Sequence, residues 1–401
     1  MAGPHGARVS ADSATLADYL TVEMDLTSGP LATPSWSTVD PSIVAGGEVT
    51  IGRGGIGPDD GYGTGTVQVD IDNTEQFLAP TGWYRGCHLR VSTAGGVRLA
   101  TSYVEKVGHD QSNAPLEASA SIRAIDVPSK RIRNTLTGFG FTVPANGWLR
   151  PGGFNVPWTP PDFGLATSAT YDRAELYREL VDNELGAMLV NVDGETVVVD
   201  RWWRLRKLAG AVDARFSDVE GDGYPILARA DGGNLALSEP EEAYRDTVEF
   251  TGLSGRTQSA ADVPADFEPV ALSRSTRSPA DAWMHANAVY LLAVLKDSDP
   301  FWRRFTVRVA PGALADAEAI AALTVGSLIQ VSATPAGAPG PLESLLFVEQ
   351  VTHRFSQAGP SWDIEFGCSN AAAWQNAWGT SADYLTYDTG QNYDDGLNFW
   401  P

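Results

Sequence analysis

A glycine-rich motif, Gly52-Arg-Gly-Gly-Ile-Gly57, has the spacing of a dinucleotide-binding loop and follows a stretch that predicts a strand. Such a loop needs a helix directly after the glycines, because the pyrophosphate is bound at the N-terminus of that helix. Pro58, Gly61 and Gly63 follow instead, and this composition disfavours a helix. We therefore predict no nucleotide cofactor at this motif.

A second motif, Asp218-Val-Glu-Gly-Asp-Gly223, is similar to the start of a calcium loop, with carboxylates at its first, third and fifth positions and glycine at its sixth. The twelfth position of such a loop is a bidentate Glu, but here it is Arg229, and Pro225 lies inside the loop. The pattern favours a solvated acidic turn. We predict no metal site, and a weakly bound cation stays open as the alternative.

Signatures of nucleophilic or metal-assisted catalysis are missing from the sequence. None of the five histidines lies in an HExxH motif or a Cys/His cluster, and Cys87 and Cys368 have no metal-ligand spacing, which favours two buried thiols. Gly252-Leu-Ser-Gly255 lacks the spacing of a nucleophile elbow. The 50 acidic residues leave the carboxylate pair of a glycosidase open as an alternative. We predict no enzyme activity, no catalytic residue and no cofactor.

Trp202 and Trp203 form the densest aromatic segment, and basic residues flank them on both sides. Exposed indole rings stack on sugar faces, so carbohydrate binding is one interpretation. The alternative is that one ring is buried and the arginines form ion pairs. Adjacent Arg and Trp side chains are also typical of the anchors of protein interfaces, and we predict an interface role for both tryptophans.

The charge balance excludes one large class of partners. The chain has 28 Lys and Arg against 50 Asp and Glu, a net charge of −22, whereas proteins that bind nucleic acid need an excess of basic residues to neutralise phosphates.

The longest apolar stretch, Ala288 to Leu295, has eight residues, far fewer than the roughly 20 of a membrane span. No signal-peptide pattern is present at the N-terminal end, so we expect no export signal.

Two segments of the chain repeat one pattern. Gly86-Cys-His-Leu-Arg-Val-Ser92 and Gly326-Ser-Leu-Ile-Gln-Val-Ser332 are each followed by a loop and then by aromatic-Val-Glu-x-Val-x-His. The two loops differ in length by a few residues, which costs little entropy at a surface. The repetition predicts a structural duplication in which packed histidines are favoured over catalytic ones. The matched pairs are Glu105 with Glu349 and His109 with His353.

The predicted fold is mainly β, of the α+β class, with two similar antiparallel β-barrel or sandwich domains. Alternating apolar residues such as Val67, Val69 and Ile71 indicate half-buried strands. The predicted organisation is a flexible lead (1–19), a first β domain (20–130), an inserted helix and hairpin (131–210), an acidic strand and loop segment (211–277), a helix with the second β domain (278–372), and an aromatic, acidic arm (373–401).

Three local predictions refine the inserted and acidic segments. A helix is expected from Tyr171 to Leu185, and the Asp193-Gly194 dipeptide predicts a tight hairpin turn. Ser278-Pro279 has the N-terminal signature of the longest helix, which should run to about Lys296 and brace the second β domain. Residues 146–161 have loop composition, and residues 252–277 are expected to be irregular.

Four stretches resemble the minor tail proteins of long-tailed (siphovirus) actinobacterial phages, the family of the baseplate or tail-tip hub. They are Val49 to Asn73 with Phe77 and Pro80, the Gly86 strand through Asp126, Glu184 to Arg201, and Gly326 to Ala371. The resemblance covers roughly residues 45–372. It departs at Ser102, where the family often has Gly, and the C-terminal arm has no counterpart.

This resemblance implies a structural virion protein at the distal end of the tail, assembled in the host cytoplasm. Three chains with two tube-like domains each would form a ring of six similar domains, with the matched Glu and His residues near the domain contacts. The implied partners are the distal tail protein, the tail tube, the tape-measure protein and other tip proteins. DNA would pass without specific binding, and contact with the host cell wall would be indirect.

Two alternatives stay open at this point. The chain would form a hexameric ring if it were the distal tail protein itself. It would instead carry exposed tryptophans beside paired carboxylates if it were a cell-wall carbohydrate-binding protein or hydrolase on the tip. For the hub, the net charge of −22 predicts an acidic channel wall that avoids contacts with DNA phosphates.

Overall fold

The computed structural model describes most of the chain between residues 18 and 374. The described residues are 18–28, 33–40, 44, 48–54, 65–74, 77–78, 84–111, 118–125, 135–137, 149–152, 170–172, 185–194, 196–199, 203–219, 236–237, 244–252, 254–263, 268–276, 281–296, 299–309, 314–335, 337–356 and 361–374.

Strands dominate these residues. They are β1 (Leu20–Asp25), β2 (Ser37–Thr38), β3 (Glu48–Gly54), β4 (Thr66–Asp72), β5 (His88–Thr93), β6 (Arg98–Gln111), β7 (Ala118–Ile125), β8 (Thr135–Thr137), β9 (Leu149–Gly152), β10 (Thr170–Asp172), β11 (Ala187–Val190), β12 (Thr196–Val199), β13 (Ala214–Ser217), β14 (Ala236–Leu237), β15 (Thr247–Thr251), β16 (Thr257–Ala261), β17 (Ala271–Ser275), β18 (Trp302–Val309), β19 (Leu328–Ala333), β20 (Leu342–Ser356) and β21 (Ser361–Asn370). The helices are α1 (Trp203–Leu208), α2 (Asp281–Leu295) and α3 (Leu314–Ala321). The mainly β prediction is confirmed.

One large sheet runs through both β regions. Its strand order is β14-β18-β21-β20-β3-β4-β7-β6-β5-β1-β2, and β19 joins β20 from the side while pairing with β13. Every pairing in it is antiparallel except the parallel one between β13 and β19. The two predicted β domains therefore share one continuous sheet.

The duplication inferred from the sequence is present strand by strand. Repeat 1 consists of β3 to β7, and repeat 2 of β14, β18, β19, β20 and β21. Val69 of β4 lies opposite Ile122 of β7, and at the matching place Phe305 of β18 lies opposite Phe366 of β21. The pairing of β6 with β7 has the same register as that of β20 with β21, so the repeats share their topology and their alignment.

A β-bulge occurs at the same point of each repeat. The register of β6 shifts between Val104 and Lys106, and that of β20 shifts between Val348 and Gln350. Glu105 and Glu349 are therefore the extra residues, and a bulge of this kind bends the strand and increases its twist.

A glycine in the left-handed region precedes each bulged strand. The Gly86 amide donates to the Val104 carbonyl at 2.7 Å with φ 87°, and the Gly326 amide donates to the Val348 carbonyl at 2.7 Å with φ 90°. Glycine adopts this backbone conformation without steric cost, which explains why both copies carry it.

Inward-facing side chains of both repeats form one hydrophobic core, because alternate residues of each strand point to the same face. Helix α3 closes this core with Ala317 and Ile320, and its Glu318 accepts a 2.9 Å hydrogen bond from the Thr93 hydroxyl of repeat 1. The inward residues include Val67, Val69, Ile71, Ile122, Phe305, Val307, Val351, Phe355, Ile364 and Phe366.

A second core lies between α2 and a three-stranded sheet of order β16-β15-β17. It extends to Leu328 and Phe347, so the long helix does pack against repeat 2. The expectation that residues 252–277 are irregular is wrong, because β16 and β17 lie within them. Apart from Leu272, which packs against the second core, their side chains are polar or small, so these strands carry no alternating apolar signal.

The inserted segment contains a sheet of order β11-β12-β9 and a pair β10-β8. The predicted hairpin is present, with Gly194 at φ 79° between β11 and β12. Two other expectations are wrong. Residues 149–152, expected to form a loop, are strand β9 and lie parallel to β12. Thr170–Asp172 is a strand at the place where the predicted helix begins. The rest of that helix, residues 173–184, lies outside the described residues.

Several smaller features complete the description. Cys87 and Cys368 are both buried and free, as the sequence suggested. Helix α2 spans the predicted long helix, whose first residues 278–280 lie outside the described part. Residues 371–374 form a helical turn, and the remainder of the C-terminal arm is not described. Within the described residues, no helix combines the length and the apolar character needed to span a membrane.

Candidate functional site: the junction between the two repeats

Strand β3 joins the two repeats. Its residues alternate in burial, and Val49 and Ile51 are fully buried. One edge of β3 pairs with β4 of its own repeat, while the other edge pairs with β20 of repeat 2 from Gln350 opposite Gly54 to Ser356 opposite Glu48. Seven backbone positions of β20 are thus covered by a strand of the preceding repeat.

His353 lies in the centre of this junction, opposite Ile51. It is 2% exposed, and its ring lies 6.4 Å from that of Phe355 and 6.0 Å from that of Trp362. Burial, and secondarily the positive charge of Arg53, lower the pKa of His353 to about 3. The imidazole is therefore neutral at ordinary pH and acts as a packing group.

The bulged residue of repeat 2, Glu349, is completely buried and forms an ion pair. Nη2 of Arg204 in α1 donates to both of its carboxylate oxygens at 3.0 Å, and the Ser369 hydroxyl donates to Oε1 at 2.6 Å. The guanidinium lies over the Trp203 ring at 4.5 Å and the Trp374 ring at 4.1 Å. This cation–π arrangement fixes the inserted segment to repeat 2.

The end of β3 makes two further contacts across the junction. Arg53 is buried and donates hydrogen bonds to the carbonyls of Leu99 in repeat 1 and Val190 in the inserted hairpin. Gly54 has φ 89°, and a β-carbon there would lie 2.0 Å from the Glu349 carbonyl oxygen. Only glycine allows this approach of β3 to the bulge of β20.

The corresponding residues of repeat 1 have a different environment. Glu105 has a side chain that is 32% exposed, and its nearest cation, Arg123, lies 3.6 Å away with a 60% exposed side chain. His109 is half-buried, whereas its counterpart is enclosed. The structure therefore places the predicted residues of repeat 2 inside a junction and those of repeat 1 at an open edge.

The predicted tryptophan pair is only partly described. Trp203 lies 6.2 Å from the Phe347 ring, and a β-carbon on Gly326 would lie 2.5 Å from the Trp203 indole. Its ring therefore covers the turn before β19 rather than standing free for a sugar. Trp202 lies outside the described residues.

The outward face of the sheet is polar, and its charges are paired across strands. Arg308 contacts Asp363 at 2.8 Å, and Arg354 and Arg304 contact Glu365 at 3.0 and 3.4 Å. On the repeat 1 side this face presents acidic residues such as Glu48 and Asp70 together with the basic residues Lys106 and Arg123. Neither sign of charge dominates the described part of the face.

The described residues contain no group of three or more His, Cys, Asp or Glu side chains that could hold a metal ion. Asp218, which begins the calcium-like motif, instead accepts a 2.8 Å hydrogen bond from the Thr334 amide. The rest of that motif lies outside the described residues, as does the glycine motif beyond Gly54.

Two residues of this junction were not singled out for it in the sequence. Arg204 is one of several basic residues beside the tryptophan pair, and Arg53 lies within the glycine motif. Each contacts a residue more than 40 positions away, and no local spacing signals such a contact. The positive φ of Gly54 and Gly326 marks the places where these side chains and strands come close.

The sequence matches no protein family profile and no curated protein. Two solved structures are nevertheless similar to the chain. The tail protein from Neisseria meningitidis MC58 is 12% identical with a TM-score of 0.56, covering 89% of this chain and 98% of its own. The 43 kDa tail protein of prophage MuSo2 from Shewanella oneidensis is 10% identical with a TM-score of 0.53, covering 89% and 99%. The chain has the fold of these tail proteins.

Proposed function

We propose that this chain is a structural virion protein, the tail-tip or baseplate hub of a long-tailed phage of the actinobacterial type. Three chains form a ring that joins the tail tube to the tip. The observation that carries the proposal is the duplication itself, with matching registers and matching bulges at Glu105 and Glu349. A chain that contains two equivalent domains supplies six positions from three copies, which suits a sixfold tube above a threefold tip.

The fold likeness to the two tail proteins supports this assignment, although fold alone does not decide function. The junction residues are structural: His353 is neutral and packed, and Glu349 is neutralised by Arg204. A role in assembly therefore suits them better than proton transfer. The partners are a second and third copy of the chain, the distal tail protein, the tail tube, the tape-measure protein and other tip proteins.

The polar face of the continuous sheet is the proposed wall of the channel through which DNA leaves. Because Asp363 and Glu365 are each paired with arginine, the described strands support a charge-paired wall rather than a strongly acidic one. Arginines held by carboxylates are less available to phosphate than free ones, which suits passage of DNA without specific contacts. The net charge of −22 then acts chiefly on solubility, because chains of like charge repel one another in solution.

The mass of the purified chain in solution, measured by light scattering over a range of concentrations, tests the proposal. The hub predicts a species of three times 42.7 kDa, about 128 kDa. A six-chain ring would assign the distal tail protein instead. A strict monomer that binds host cell wall, and loses that binding in the Trp202→Ala/Trp203→Ala variant, would assign a carbohydrate-binding protein.

A further inference from the structure

The junction inside the chain provides a template for contacts between chains. At this junction β3 has both edges occupied, one by β4 of repeat 1 and one by β20 of repeat 2. The residues that it covers are tightly enclosed, since Val351 and His353 are each 2% exposed and Ile51 is 0% exposed. If the repeats are equivalent, each repeat should have one such strand and one such covered edge.

Repeat 1 has the edge without the covering strand. Lys106–Gln111 of β6 is the counterpart of the covered part of β20, and it pairs with β7 on one side. On its other side no strand pairs with it in the described part of the chain. Val107 and His109 are consequently half-buried where Val351 and His353 are enclosed. An open strand edge of this kind is a template for pairing with another chain.

Repeat 2 has the strand without an edge to cover. β14 pairs with β18 at the place where β3 pairs with β4: Ala236 lies opposite Arg304, as Thr50 lies opposite Gln68. The β14–β18 register then shifts, so that Leu237 lies opposite the buried Trp302, whereas β3 and β4 pair without a shift. Among the described strands, only β18 pairs with β14. Leu237 is 36% exposed, although its counterpart Ile51 is completely buried. β14 is therefore an edge strand in the described part of the chain, and its Leu237, on the core side of the sheet, lies where a further strand can cover it.

The sequences of the two strands support their equivalence. Gly46-Gly-Glu-Val-Thr-Ile51 and Gly232-Gly-Asn-Leu-Ala-Leu237 both read Gly-Gly, spacer, aliphatic, small, aliphatic.

We propose that β14 of one chain adds to the Lys106–Gln111 edge of β6 in a second copy of the same chain, as an antiparallel strand. The inference rests on the proposed ring and specifies the contact that closes it. Transferring the register of the internal junction places Leu237 opposite His109 and Ala236 opposite Asp110 of the neighbour. The contact is head-to-tail. It generates a closed ring if the rotations between successive repeats add up to one full turn, and an open filament if they do not.

Disulfide trapping tests the register. The His109→Cys/Leu237→Cys variant should form disulfide-linked oligomers under mild oxidation, because opposite residues of antiparallel strands lie within the Cα separation that a disulfide spans. The His109→Cys/Ala236→Cys variant is the matched control, since neighbouring residues of a strand point to opposite faces. It should cross-link at least tenfold less. Wild type serves as a blank because both of its cysteines are buried.

An internal pair shows that oxidation works in each experiment. Glu48 and Ser356 lie opposite each other at the outer end of the existing junction, so the Glu48→Cys/Ser356→Cys variant should form a disulfide within one chain. When that bond forms, absence of the 109–237 disulfide overturns the proposed strand pairing, whatever the mass in solution. A trimer without this disulfide leaves the hub standing with another interface. The disulfide in open filaments supports the strand pairing and overturns the three-chain ring.

Discussion

Glu105 and Glu349 occupy the same β-bulge in the two repeats, but only Glu349 is enclosed. Arg204 of the inserted segment neutralises Glu349, whereas Glu105 has a partly exposed ion pair with Arg123. The same bulge position therefore has two different environments in the two repeats. In repeat 2 the inserted segment of the same chain encloses the bulge. In repeat 1 the bulge lies at an edge where a neighbouring chain is expected.

The Arg204→Met variant should be strongly destabilised, because the buried Glu349 carboxylate loses its guanidinium. Breaking a buried pair by removing one partner typically costs about 3–5 kcal/mol. The control is Arg123→Met, which removes the exposed partner of Glu105 and should cost about 0–1 kcal/mol. Urea unfolding followed by circular dichroism measures both. Equal losses in the two variants would contradict the contrast between the repeats.

Replacing Gly326 by Ala should destabilise the chain through two effects. The residue has φ 90°, and the added β-carbon would lie 2.5 Å from the Trp203 ring. Gly337 has φ 81° with no atom within 4 Å of that position, so Gly337→Ala carries only the backbone cost, which is of order 1 kcal/mol. Thermal unfolding should show the larger loss for Gly326→Ala. Equal melting temperatures for both variants would show that Trp203 does not pack there.

The stability of the fold should depend on pH through His353. Because its pKa in the folded chain is about 3, the unfolded chain binds a proton that the folded chain excludes between about pH 3 and the ordinary histidine value of 6.5. The contribution of neutral His353 to the free energy of unfolding is therefore fully present above pH 6.5. It is lost as the pH drops through this window, by up to about 1.4 kcal/mol per pH unit.

The His353→Leu variant isolates this effect. Burial also lowers the pKa of His88, which contributes equally to both proteins, so their difference reports on His353 alone. Urea unfolding at several pH values from 7 to 4.5 should give a shallower decline for the variant than for wild type. Parallel declines would mean that His353 is accessible to protons in the folded chain.

The Leu237→Asp variant should prevent assembly while leaving the fold of the single chain intact. Leu237 is 36% exposed, so a charge there costs little within one chain, but it would be buried against His109 of a neighbour. Leu345 is also 36% exposed and lies outside the proposed contact, which makes Leu345→Asp a matched control. Light scattering should show at least a tenfold weaker association for Leu237→Asp only. Equal association of both variants would argue against β14 as the docking strand.

The sequence predicted the strands of the two repeats well, because their alternating aliphatic residues and the repeated Val-Glu-x-Val-x-His pattern are local signals. Val67, Val69 and Ile71 do lie on one buried face. The alignment that matches Glu105 with Glu349 agrees with the registers of β6 with β7 and of β20 with β21. The glycine before each pattern, Gly86 and Gly326, marks a real backbone requirement.

Other parts of the fold could not be predicted in this way. β16 and β17 are edge strands whose side chains, apart from Leu272, are small or polar, so their pairing depends on β15 and α2 rather than on their own composition. β9 contains proline and glycine and becomes a strand only by lying beside β12. The junction depends on Arg53 and Arg204, whose partners are distant in sequence, and on a continuous sheet that neither repeat reveals alone.

Electron microscopy of the assembled particle tests whether three chains form the ring, because the number of repeats around it can be counted. We expect three chains with six similar lobes around an open channel. Adjacent lobes should be joined by the same strand contact within and between chains. A particle of six chains with twelve lobes, or three chains whose first and second repeats do not alternate around one ring, would contradict this arrangement.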